Sequence, residues 1–132
     1  MTDPTALARR FYAAMTAGDA AALFDVLDED FVGEVSAGMP HGVGGTHHGA
    51  ATTITEVWGR IDALYEVEVM PAEYLPVDDT RVVVLGSYRG RARDGSSSVD
   101  AAFAHVITTR GDRIAALTQI TDTARWAMPL SA

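Results

Sequence analysis

Near Glu66 the apolar residues of this chain change their spacing from a period of about 3.6 to a period of two, the mark of helices giving way to strands. Ahead of the switch, Asp3 and Pro4 make a capped helix start. Leu7, Phe11 and Met15 then recur every four residues and form one buried stripe. Gly18 stops this helix, and Asp19 caps a second whose apolar side is Leu23, Val26 and Leu27. Phe31 to Ser36 reads as a brief strand. Ala37 to Gly49 carries five glycines and a proline with no periodicity, which predicts a mobile loop or lid. Ile54, Val57, Trp58 and Ile61 mark a third amphipathic helix.

After the switch everything reads as sheet. Val67 and Val69 alternate with Glu66 and Glu68, Asp78-Asp79 turns, and Arg81 to Arg93 forms a long strand. Asp94-Gly95 is a hairpin signal, Val99 to Thr109 returns, Gly111-Asp112 turns again, and Ile114 to about Thr123 runs last. Helices in a block followed by antiparallel strands in a block predict an α+β domain, with helices on one face of a curved sheet. At 132 residues the whole chain, 1–132, reads as a single domain.

Charge narrows the function. Ten Lys plus Arg against 18 Asp plus Glu leave −8, which repels phosphate backbones and anionic lipid, so neither nucleic acid nor membrane is an expected partner. Cysteine is absent, which removes disulfides, a thiolate nucleophile and cysteine metal sites and suits a reducing, cytoplasmic location. The segment MTDPTALARR lacks the apolar core of a signal peptide, and no apolar run approaches the ~20 residues that span a bilayer. His41, His47 and His48 crowd the glycine-rich loop beside Glu34 and suggest a metal site. Adjacent histidines seldom reach one ion, however, and neither HxH nor HExxH spacing occurs, so a polar loop at a pocket entrance is the reading preferred.

Two stretches carry a family resemblance: RFYAAMTAGDAAALFDVLDEDF near the start and AFAHVITTRGDRIAALTQITDTARW near the end. Through their order and spacing the chain resembles the SnoaL-like, ketosteroid-isomerase-like branch of the nuclear transport factor 2-like superfamily. The resemblance implies a cone of three helices on a curved, mostly antiparallel sheet around one deep apolar pocket. It also implies cofactor-independent isomerisation, cyclisation, dehydration or epoxide opening, and homodimers formed through the outer sheet face. SnoaL-like cyclases place a histidine on the penultimate strand and an acid–base aspartate on the last. His105, nine residues before Ile114, is similar to that histidine. Gln119, five residues past Ile114, stands where those cyclases carry the aspartate, and an amide orients a carbonyl but shuttles no proton at neutral pH. Against ketosteroid isomerases, Val35 and Phe11 fall at the base and tyrosine positions, with Glu34 and Tyr12 one residue away from each. Limonene epoxide hydrolases use an arginine and an aspartate at the level where this chain has Tyr88 and Gly90.

The candidate residues each have a plainer alternative. His105 shares a strand face with Phe103 and Ile107, where desolvation favours neutral imidazole; it is a general base or hydrogen-bonding group, or a satisfied core histidine. Glu34, at the pocket mouth, is a tunable carboxylate or a solvated surface group. Tyr88 and Gly90 share a face opposite Arg89, Arg91 and Arg93; the phenol would line the pocket, and the arginines would pair with carboxylates or lie at a dimer seam. Tyr12, Trp58, Phe103 and Asp122 complete the expected substrate-binding set. Trp58 packs first and walls the pocket second, Asp122 is also read as a structural or capping group, and Trp126 would close the open end or join a partner. Two functions follow from this set. One is a cofactor-free enzyme acting on a hydrophobic, oxygenated small molecule such as a polyketide, terpenoid or steroid-like ketone, with His105, Glu34 and Gln119 as its catalytic groups. The other is a non-catalytic ligand-binding or assembly domain of the same fold.

Overall fold

A computed structural model describes residues 3–126. Helix α1 spans Pro4–Ala17; the Asp3 side chain accepts from the Thr5 N–H at its start, and Gly18 in the left-handed region (φ 63°) ends it. Asp19 accepts from the Ala22 N–H and opens α2, Ala20–Val26. Leu27, expected on that helix, instead begins strand β1, Leu27–Val35, which is longer than the predicted brief strand. The glycine-rich segment is not wholly loop: Gly45–His48 forms β2, an antiparallel edge partner of β1. The third helical stretch runs as α3 (Ala50–Thr53), a π turn (Ile54–Trp58) and α4 (Gly59–Leu64).

Strands β3 (Tyr65–Pro76), β4 (Arg81–Ala92), β5 (Ser98–Arg110) and β6 (Arg113–Thr121) follow, and a 3-10 turn covers Thr123–Trp126. The six strands form one mixed sheet in the order β2-β1-β6-β5-β4-β3, antiparallel throughout except where β1 runs parallel to β6. Alternation along β4 and β5 buries Val82, Val84, Tyr88, Phe103, His105 and Ile107 on one face. Helix α1 lays Leu7, Ala8 and Phe11 onto that face, each almost fully buried. Burial of each large side chain contributes about 1.5–3 kcal/mol.

Two glycines on the inner face shape the wall. Gly86 stands opposite Phe103, and a Cβ there would strike the Met70 carbonyl, the Phe103 ring tip and Pro71, beside the register shift between Pro71 and Glu73 in β3. At Gly90 a Cβ would strike the Glu66 carbonyl. Close backbone approach at these points lets the sheet bend around the helices.

Candidate active site

Between the helices and the concave face lies a cavity of about 600 Å³, walled mainly by Phe11, Met15, Leu23, Val57, Trp58 and Trp126. His105, Tyr88 and Gln119 border it from the sheet. Register brings them together, because His105 faces Gln119 across β5 and β6 and Val84 across β5 and β4.

The three side chains form a continuous hydrogen-bonded chain, extended by Tyr12. Gln119 Nε2 donates to Tyr88 Oη at 3.0 Å. Tyr88 Oη lies 2.6 Å from His105 Nε2, and Tyr12 Oη lies 2.8 Å from His105 Nδ1. With Tyr88 accepting from the amide, one consistent assignment sends its own proton to Nε2, which leaves the imidazole proton on Nδ1 to be donated to Tyr12. Phe103 stacks on the His105 ring at 4.0 Å between centroids and 16° between planes.

This packing sets the protonation states. Burial lowers the pKa of His105 from 6.5 to about 3, so the ring is neutral at physiological pH. Burial also raises the Tyr88 and Tyr12 phenols far above their usual range, and both stay protonated. Among the described residues, Gln119 Oε1 is one of two buried side-chain polar atoms without a hydrogen-bond partner.

The predicted site residues do not all converge. His105, Tyr88, Gln119 and Trp58 border the cavity, and Trp58 packs between Phe11 and Phe31. Glu34 also borders it, but its side chain is exposed at the rim, with Gly33 and Val35 taking the buried positions on either side. Tyr12 and Phe103 lie behind His105, outside the cavity lining, because the imidazole stands between Tyr12 and the open space and the Phe103 ring is spent in stacking. Asp122 falls after β6 has ended, exposed and away from the lining, with its carbonyl accepting from the Arg125 N–H. The loop histidines diverge: His41 Nε2 lies 2.9 Å from Tyr65 Oη, His47 Nε2 donates to the Val43 carbonyl at 2.8 Å, and His48 is exposed on β2. Among the described residues no group of His, Asp or Glu is placed to hold a metal ion.

Sequence reasoning passed over Tyr65 and Met39. Both border the cavity, and Tyr65 meets Trp126 edge-on at 5.4 Å. Tyr65 carried a usable signal, since it shares the period-two face of Val67 and Val69. Met39 carried none, lying in a segment without periodicity. Of the strand arginines, Arg89 reaches Asp100 (3.6 Å) and Arg93 reaches Asp62 (3.7 Å), both on the surface.

A cone of helices on a curved six-stranded sheet, enclosing one apolar cavity with a few buried polar groups, defines a nuclear transport factor 2-like domain. The model of the SnoaL-like domain matches residues 8–117, and the chain belongs to that family. A nuclear transport factor 2-like protein from Burkholderia pseudomallei K96243 is 28% identical, with a TM-score of 0.83 and coverage of 94% of each chain. One from Burkholderia thailandensis E264 is 24% identical, with a TM-score of 0.87 and coverage of 96% of each chain. TerC, crystallised with polyporic acid, is 23% identical, with a TM-score of 0.82 and coverage of 93% of this chain and 94% of its own. Comparison with curated proteins returns no match. No helix among the described residues is long and apolar enough to cross a membrane.

Proposed function

We propose that this chain is a cofactor-independent enzyme of the isomerase, cyclase or dehydratase type, acting on a hydrophobic oxygenated small molecule such as a polyketide, terpenoid or steroid-like ketone. The observation that carries this reading is the neutral, water-shielded chain Gln119–Tyr88–His105 in the wall of an otherwise apolar cavity. Hydrogen bonds in such a site act in low dielectric and need little reorganisation. A substrate C–H or O–H proton passes to Tyr88 Oη as the phenol proton passes to His105 Nε2, and the second amide hydrogen of Gln119 holds the substrate oxygen. Because His105 binds a second proton weakly, the imidazolium lasts only beside the oxyanion and returns its proton along the same path to a new position on the substrate. Glu34 at the rim serves as second proton carrier.

One observation favours the alternative of a non-catalytic binding domain: both His105 nitrogens are held by tyrosine hydroxyls, where a carboxylate would have raised the basicity of the ring. Incubation of wild type, Tyr88→Phe and His105→Ala with small-molecule extract of the source cells, followed by mass spectrometry, separates the two. Conversion by wild type alone supports the enzyme. A compound retained unchanged by wild type supports binding and removes the proton-transfer scheme.

The same reading includes a homodimer. Across the outer sheet face, register lines up Leu85, Ala104 and Ile120 in one row and Leu75, Val83 and Val106 in the next. Ile120 is 57% exposed and Leu75 40%, an apolar band that a second copy would cover.

A further inference from the structure

We propose that Ser36 is a positioning residue for Gln119: its hydroxyl replaces the last backbone rung between β1 and β6 and thereby holds the Gln119 amide against Tyr88. This rests on the reading of Gln119 and Tyr88 as the polar wall of a small-molecule site.

The paired residues of β1 and β6 end at Glu34 and Thr118, and the same register two residues on sets Ser36 opposite Ile120. In a parallel ladder a residue so placed bonds the two neighbours of the one opposite, its N–H reaching one and its carbonyl the other. Ser36 does this with its side chain. Its Oγ donates to the Gln119 carbonyl at 3.0 Å and accepts from the Thr121 N–H at 3.1 Å. A hydroxyl is both donor and acceptor, so one oxygen fills both roles. The main chain is thereby free to leave the sheet: the Ser36 carbonyl accepts from the Met39 N–H at 3.0 Å, in the turn that brings Met39 to the cavity.

What β6 carries on either side of this rung ties it to the site. The Gln119 amide reaches across β5 to Tyr88 on β4, a 3.0 Å bond between side chains two strands apart. Thr121 Oγ1 donates to the Ala102 carbonyl and accepts from Trp126 Nε1, and the Trp126 ring meets Tyr88 at 5.1 Å. Without the hydroxyl, the Gln119 carbonyl and the Thr121 N–H lose their partner on the β1 side, and the end of the strand that aims the amide is loosened.

NMR of the 15N-labelled protein tests this. The Gln119 side-chain amide is assigned by its loss in Gln119→Leu, and Tyr88→Phe gives its position without the phenol. In Ser36→Ala the amide signals should move toward the Tyr88→Phe position; in Ser36→Thr, which keeps the hydroxyl, they should stay where wild type has them. The Thr121 N–H should be protected from hydrogen exchange in wild type, and about 10-fold less so in Ser36→Ala. Unchanged Gln119 signals in Ser36→Ala, equal shifts in Ser36→Ala and Ser36→Thr, or a Thr121 N–H that exchanges freely in wild type would overturn the inference. The last of these needs no variant to fold. Two small probes, indole and 1-indanone, test the site reading separately, through the Nε1–H signals of Trp58 and Trp126. If they bind while Gln119 does not respond to Ser36, the inference falls alone. If neither binds, the site reading falls, and the inference with it.

Discussion

His105 ties the chemistry of the cavity to the stability of the fold. The ring titrates near 6.5 when exposed and near 3 when buried, so the unfolded chain binds the proton more readily than the folded one. Its contribution to stability is complete above about pH 6.5 and is lost as pH falls toward about 3. Urea unfolding over that range should show a steep acid loss in wild type and a shallower one in His105→Gln. Tyr88→Phe removes a single oxygen that touches both Gln119 and His105. Under the enzymatic reading turnover should fall about 100-fold or more with ligand affinity largely kept, as initial rates and calorimetric titration would show. His105 was legible from the strand face it shares with Phe103 and Ile107 together with the SnoaL-like resemblance, Gln119 from that resemblance alone, and Tyr88 from the face it shares with Gly90. Tyr12 was expected to line the pocket but stands behind His105 as the partner of Nδ1, a contact that joins residues 93 apart and leaves no mark in local spacing.

Gly86 shows why the elements curve as they do. Its place opposite Phe103 leaves no room for a side chain, and Gly86→Ala should destabilise the protein by about 1–3 kcal/mol in chemical denaturation. Asp19→Ala, which removes the cap of α2, should cost about 1 kcal/mol by the same measurement. Strands β3 to β6 could be read from period-two alternation punctuated by Asp-Gly and Gly-Asp turns. Strand β2 could not, because Gly45-Thr46-His47-His48 offers glycine and polar groups at a sheet edge, with no apolar face to betray it. The π turn was equally hidden, since widening by one residue leaves Ile54, Val57 and Trp58 at helical spacing. Leu27 was misplaced because helix and strand both bury it, and only the end of α2 at Val26 separates the two.

For the whole molecule, the outer face of the sheet is where assembly should be tested. Leu85→Lys and Ile120→Lys together place charge in the middle of the apolar band without touching the cavity. Sedimentation should show a dimer for wild type and a monomer for the variant. The monomer should still bind the small probes if the cavity is complete within one chain.

Strand β6 also decides the order in which the molecule can come into being. It lies between β1 and β5, yet of the six strands it leaves the ribosome last. Until it arrives, β1 with β2 and β3 with β4 and β5 are two separate ribbons, each with an open edge where β6 will bind. The nascent chain is therefore most exposed to mispairing just before completion, and the wall that joins Gln119 to Tyr88 closes in the same step that removes that exposure.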